Sequence, residues 1–226
     1  MTPLVIGIIV VILVAIVFLS RGTTNSEQKR SEYLQRLAEF LNTQVRPIEG
    51  LSNSFELVFK YDDQDFVFQD LEDLGFQVKI FRAILKTQLK VSLTLTFIED
   101  SKSRLRSDIA VLEQLTSSGA HLAEKVDVPK SLRAFSIATN KPAIVNALFK
   151  QDDIVKIFNQ FKGVDPRGHP TMSLEIRDGT VVLEFHSASH LKPSWVDLQN
   201  NASAIEEFIK KILLVVRAAN QFEEKK

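Results

Sequence analysis

The sequence predicts an α+β domain carried behind an apolar N-terminal segment. Three observations support this. Apolar and polar residues alternate at period two through much of residues 54–98. The pair Asp178-Gly179 lies between two more alternating runs. Elsewhere apolar residues recur at helical spacing, most extensively over residues 202–222. Strand-like and helix-like stretches are partly segregated along the chain, which distinguishes α+β from a regular alternation of strands and helices.

Residues 4–19 are Leu, Ile and Val apart from Gly7, Ala15 and Phe18, with no charge or amide among them. A helix rises about 1.5 Å per residue and a bilayer core is roughly 30 Å thick. With Thr2, Pro3 and Ser20 at the interfaces, the run is just long enough to span. Residues 1–20 are therefore expected to form a single-pass transmembrane anchor, with residues 2–20 in contact with the membrane. Cleavage is not expected. No Lys or Arg precedes the run, no A-x-A pattern follows Phe18, and the chain has no Cys for a lipoprotein signal. The segment thus reads as a signal-anchor. Arg21, Lys29, Arg30, Arg36 and Arg46 all follow it. That asymmetry places the N-terminus outside and the large domain in the cytoplasm, with an extracytoplasmic domain as the alternative.

Lys plus Arg number 28 and Asp plus Glu number 28, so the formal net charge is zero. A nucleic-acid partner usually requires a basic excess, and none is expected. The 16 Phe residues, against one Trp and two Tyr, are core material. Residues 21–50 read as a juxtamembrane linker and helix. Residues 51–226 read as one α+β domain with candidate sub-lobes at 51–119 and 130–226.

The elements follow in order. Leu34, Leu37, Leu41 and Val45 mark one face of a helix over residues 27–45, ended by Pro47 and Gly50. Two readings are open for that face: a short coiled coil forming a homodimer through Leu34, Leu37 and Leu41, or packing on the chain's own domain. Phe55, Leu57 and Phe59, then Phe66 and Phe68, form two strands around the turn Asp62-Asp63-Gln64. Phe76, Val78 and Ile80 suggest a third. Leu89, Val91, Leu93, Leu95 and Phe97 form the most regular alternation, with Lys90, Ser92, Thr94 and Thr96 on a wet face. Two antiparallel hairpins are the economical assembly.

Leu105, Ile109, Leu112 and Leu115 predict a helix over residues 103–115, followed by an ambiguous joint over residues 120–129. A short strand over residues 133–138 comes next. Asn140 is placed to cap a helix with Pro142 in its first turn. Asp152 or Asp153 opens another, with Ile154, Ile157, Phe158 and Phe161 inward and Gly163 at its end. Met172, Leu174 and Ile176 then pair with Val181, Leu183 and Phe185 across Asp178-Gly179, a hairpin signal. Ile205, Phe208, Ile209, Ile212, Leu213 and Val216 give the last helix a face wide enough to cover a sheet.

The stretch Ala134-Phe135-Ser136-Ile137-Ala138-Thr139, the two helices after it, and the hairpin from Ser173-Leu174-Glu175-Ile176 to Val181-Val182-Leu183 resemble a family of uncharacterised bacterial membrane-anchored domains. That family's pattern is a short strand, two successive helices, a gap and a hairpin of the form l-x-i-x-d-g-x-l-x-l. The resemblance covers residues 134–185. It implies an anchored accessory domain with no known activity, and it transfers no site residues.

Candidate chemistry is sparse. His186 and His190 are four apart, but they follow a strand and precede Pro193, so two surface histidines are expected rather than a metal pair. Asp62, Asp63, Asp65, Asp70, Glu72 and Asp73 form an acidic cluster. Val67, Phe68 and Leu74 fall where a calcium loop needs oxygen ligands, so a solvated turn running into a helical or bent segment is expected. Asp165, Arg167 and His169 lie in a Pro- and Gly-rich loop, a candidate binding loop. No catalytic residue and no cofactor is assigned. There is no Cys, no G-x-S-x-G and no phosphate loop among the 8 Gly. The expected function is a non-enzymatic protein-interaction or assembly module. Alternatives are a domain binding lipid or another small apolar ligand, and an enzyme whose site is assembled from residues such as His169, His186 and His190.

Overall fold

The computed structural model describes residues 28–74, 79–99, 121–122, 126–161, 172–186 and 202–222. Helix α1 covers residues 28–40. It is followed by β1 (Arg46–Pro47), β2 (Phe55–Tyr61), β3 (Gln64–Leu74), β4 (Lys79–Gln88), β5 (Leu95–Glu99) and β6 (His121–Leu122). A 3-10 turn (Lys130–Leu132) leads into β7 (Phe135–Thr139), α2 (Pro142–Phe149) and α3 (Asp152–Gln160). The hairpin β8 (Met172–Arg177) and β9 (Thr180–His186) precedes α4 (Ala204–Asn220). The fold is α+β. Among the described residues, nine strands form one sheet in the order β1-β2-β3-β4-β9-β8-β5-β7-β6. Every pairing is antiparallel.

Two tight turns set the hairpin registers. Asp62 and Asp63 join β2 to β3 with φ of 50° and 62°; Asp178 and Gly179 join β8 to β9 with φ of 45° and 76°. Positive φ at both central residues defines the turn whose twist suits paired strands, and Asp tolerates that conformation better than most residues. The sheet is continuous across the two candidate sub-lobes, because Arg82 to Gln88 of β4 pair with His186 to Thr180 of β9.

Period-two alternation directs one face of the sheet inward. Leu57, Phe66, Phe68, Leu85, Leu95, Ile176, Val181, Leu183 and Phe185 are all fully buried. The described helices lie on that face. Phe97 of β5 meets Phe149 of α2 and Phe158 of α3, with ring centroids 6.4 and 5.3 Å apart. Phe208 of α4 meets Phe161 and Phe185 at 5.7 and 5.3 Å. Ile154, Ile157, Phe158 and Phe161 point inward as expected, as do Ile205, Ile209, Ile212, Leu213 and Val216. In α1, Leu34, Leu37 and Leu41 belong to this same core and are at most 9% exposed. The helix face that could have formed a coiled-coil seam is therefore occupied by the chain's own domain.

Several elements differ from expectation. Helix α1 ends at Asn42, ahead of Pro47 and Gly50. Asn42 adopts φ of 50°, its N–H donates to the Glu39 carbonyl, and the Thr43 N–H reaches the Ala38 carbonyl. This is a Schellman ending with Asn in the left-handed position. The predicted strand over residues 89–97 is only half a strand. Residues 89–94 bond instead to the β8–β9 turn: Leu89 N–H donates to the Gly179 carbonyl, Gly179 N–H to the Leu93 carbonyl, and the Ser92 hydroxyl to Asp178. Val91 and Leu93 are buried, so the alternation reflected burial without a ladder. Thr94 and Thr96, expected on a wet face, are 2% and 7% exposed.

Asn140 does not cap α2. Its side-chain oxygen accepts the Thr94 N–H, and the helix starts from Lys141 with no side-chain cap. The acidic segment after Asp65 is neither helical nor bent, because β3 continues through it to Leu74. The helix predicted over residues 103–115 lies outside the described residues, as do Phe76, Val78 and Gly163. None of the described helices is long and apolar enough to cross a membrane, and residues 4–19 lie outside the described set.

The β8–β9 turn admits no side chain at its second position. A Cβ on Gly179 would lie 3.0 Å from the Val91 carbonyl oxygen, on a residue already at φ of 76°. Gly179→Ala should cost about 1–2 kcal/mol in urea unfolding, from left-handed strain alone. A change within error of zero would contradict this placement of the turn.

Candidate functional site: a buried arginine between helix and sheet

The same alternation that buries Phe66 and Phe68 of β3 also turns Asp70 and Glu72 toward the helical layer. Asp70 lies opposite Phe55 of β2 and Ala83 of β4, both on the inner face. Arg30, in the first turns of α1, descends onto them. Its Nε lies 2.8 Å from Asp70 Oδ2 and its Nη1 lies 3.5 Å from Glu72 Oε2. Its Nη2 donates to the Asn53 carbonyl at 2.8 Å, and the guanidinium stands 5.5 Å from the centre of the Phe55 ring. The three charged side chains are only 11%, 6% and 4% exposed. A fixed fork of donors suits this multidentate role better than a lysine would.

Two carboxylates share one guanidinium, and the electrostatics follow from that. Burial pushes the Asp70 carboxyl above its ordinary range, and neighbouring Glu72 adds to the rise. The Arg30 hydrogen bond and charge pull the other way without cancelling it. The Tyr33 hydroxyl, on the next turn of α1, is buried and has no hydrogen-bond partner among the described residues. Burial raises its pKa far above the usual value, and the charge of Asp70 adds to this. A cleft of about 180 Å³ opens beside the cluster, lined by Arg30, Ser31, Leu34, Val45, Asn53 and Phe55 among others. The Arg30 donors shown here are engaged by the protein itself, so the cluster acts as a clamp between α1 and β3.

The opposite face of the sheet has a different character. Val58 and Val67 pair there, Lys86 stands between Val67 and Val182, and Ile84 and Val182 are each only 7% exposed. Arg82 pairs with Glu184 at 3.1 Å, Arg177 with Glu175 at 2.8 Å, and Lys86 donates to Gln69 at 2.7 Å. Burial lowers the Lys86 pKa, and the nearby charges of Arg177 and Arg82 lower it further. Among the described residues no helix covers this face, and Val58 is 41% exposed. Shallow clefts also flank α4, where Leu214 is exposed, Tyr61 donates to Glu206, and Arg217 pairs with Asp62.

The residues singled out from sequence are scattered. Of the acidic cluster, Asp62 and Asp63 form a turn, Asp65 is exposed, and Asp70 and Glu72 converge; the side chain of Asp73 lies outside the described residues. The expectation of a solvated cluster fails at Asp70, which is 4% exposed. The signal that could have found it was its parity with Phe66 and Phe68. His186 closes β9 opposite Arg82. Its side chain, together with His190, Asp165, Arg167 and His169, lies outside the described residues. Among the described residues no group of three or more His, Asp or Glu is placed to hold a metal ion. Comparison with protein-family models, curated proteins and solved structures finds no match.

Removing the arginine should expose the cost of the cluster. Arg30→Met leaves two buried carboxylates without their cation and should destabilise the domain by about 3–5 kcal/mol in urea unfolding. A loss below about 1 kcal/mol would mean that the pair is solvated.

The pH dependence has a definite sign. A carboxyl whose folded pKa lies above its unfolded value binds more protons when folded, so its contribution to stability falls as pH rises. The window opens near the ordinary Asp value of about 3.9 and extends upward to the raised one. Wild type should therefore lose stability relative to Asp70→Asn as pH rises through that window. A gap that is flat or moves the other way in paired unfolding curves would reverse the assignment.

Proposed function

We propose that this protein is a single-pass membrane-anchored α+β module that acts by binding another protein, without chemistry of its own. The observation that carries the reading is the one-sided sheet. All described helices lie on its Phe-rich face, and the other face carries Val58, 41% exposed, together with the Arg82–Glu184 and Arg177–Glu175 pairs, a mixed surface that suits a protein contact. The apolar run of residues 4–19 supports the anchor, and Arg21, Lys29, Arg36 and Arg46 after it favour a cytoplasmic domain. Protein binding is favoured over an enclosed apolar ligand because aromatic rings of the sheet meet those of α2, α3 and α4 directly.

The test uses the full chain in native membranes. A photo-crosslinker at Val58, on the open face, should give a discrete adduct of fixed mass. Placed at Phe222, after α4, it should not. The Val58 adduct should weaken when Lys86 and Arg177 are both changed to Glu. Equal labelling from both positions, or none from Val58, would count against this face. An extracytoplasmic reporter fused after Lys226 should be inactive, and its activity would reverse the orientation.

A further inference from the structure

The geometry points to a second membrane contact: we infer that the loop of residues 48–54, led by Leu51, rests on the surface of the bilayer that residues 4–19 span. The inference rests on the anchor reading above and adds to it where the domain touches the lipid.

The argument begins with chain length. Residues 20–27 separate the apolar run from α1, and eight residues reach at most about 3.3–3.6 Å each, or roughly 26–29 Å. The first turns of α1 therefore stay within that distance of the membrane. Arg30, in those turns, fixes what else lies there. It binds Asp70 and Glu72 toward the end of β3 and the carbonyl of Asn53 in the loop itself. The loop thus sits within one arginine side chain of the first turns of α1.

The loop is closed and shaped. Ile48 N–H donates to the Ser54 carbonyl at 2.9 Å, Leu51 N–H donates to the Ile48 carbonyl at 3.2 Å, and Gly50 and Asn53 both take positive φ. At its tip Leu51 is 52% exposed, the highest value among the large apolar side chains described. The far end of the sheet lies away from the start of α1. The Asp62-Asp63 turn begins β3, and the seven to nine residues from Asp63 to Asp70 and Glu72, at about 3.3 Å each, hold it roughly 23–30 Å from the carboxylates that bind Arg30. Asp178 lies at that same far end, since Arg177 and Thr180 pair beside Gln88. Exposed Arg46 and Glu49 balance each other at the loop, while Asp62 and Asp63 pair with Arg217 and Lys60 at the far end, so charge favours neither end and the contact falls to the exposed leucine beside the start of α1.

The absence of cysteine makes the test clean. Single variants Leu51→Cys, Asp63→Cys and Leu214→Cys of the full chain are labelled with an environment-sensitive nitrobenzoxadiazole dye. They are reconstituted into phosphatidylcholine vesicles containing a minority of phosphatidylglycerol. The dye at position 51 should shift to shorter wavelength and be quenched several-fold more strongly by headgroup-region spin-labelled lipid than the dye at 63 or 214. Vesicles that float with the protein while position 51 is quenched no more than position 63 would overturn this inference alone. Protein that fails to float with the vesicles would overturn the anchor reading and this inference together.

Discussion

The pairing of β4 with β9 is the constraint on which the rest of the fold depends. It joins strands about one hundred residues apart in sequence, as the Arg82–Glu184 pair shows with a separation of 102. On one side of that seam hang β3, β2 and β1, and on the other β8, β5, β7 and β6. Its register sets Ala83, Leu85 and Thr87 beside Phe185, Leu183 and Val181 on the buried face. A slip by one residue would turn this apolar row toward water and bring the outer charged row into the core. Loop-closure entropy grows only slowly with loop length, so so distant a pairing is affordable once a whole face is buried with it.

From that seam follows the asymmetry of the molecule. A nine-stranded sheet with one Phe-rich face needs helices there, and α1 to α4 provide them. On the other face, the charged ends of Arg82, Lys86 and Arg177 find Glu184, Gln69 and Glu175. Among the described residues this surface is mixed in polarity.

The Arg30 cluster is where this asymmetry meets the chain's N-terminal side. Burying one guanidinium with two carboxylates is costly unless the geometry is good, and its net contribution to stability is often small. What such a cluster provides is position. Arg30 fixes α1 against β3 and the loop before β2, so the segment next to the apolar run approaches the domain at a defined place. In the reading proposed for this protein, that orients the domain relative to its anchor.

Much of the local structure was legible in the sequence. The β8–β9 hairpin, the two helices α2 and α3, α4, and the strands β2 and β3 announce themselves through periodicity and turn residues a few positions apart. Strand β4 was less visible, because Ile84 and Leu85 are adjacent apolar residues between Arg82 and Lys86, which breaks the period of two. Residues 89–94 misled for the converse reason: their alternation records burial against a turn almost ninety residues later, as the Ser92–Asp178 bond spans 86 positions. Asp70 was readable by parity with Phe66 and Phe68, yet its charge argued for solvent, and only Arg30 arriving from 40 positions earlier resolves the conflict. By itself, then, the sequence determined the class of fold, the apolar N-terminal run, and which residues share a face within each element. The tertiary structure decided which strands meet and which charges are buried, because those outcomes depend on burying whole faces together, and no local period encodes that.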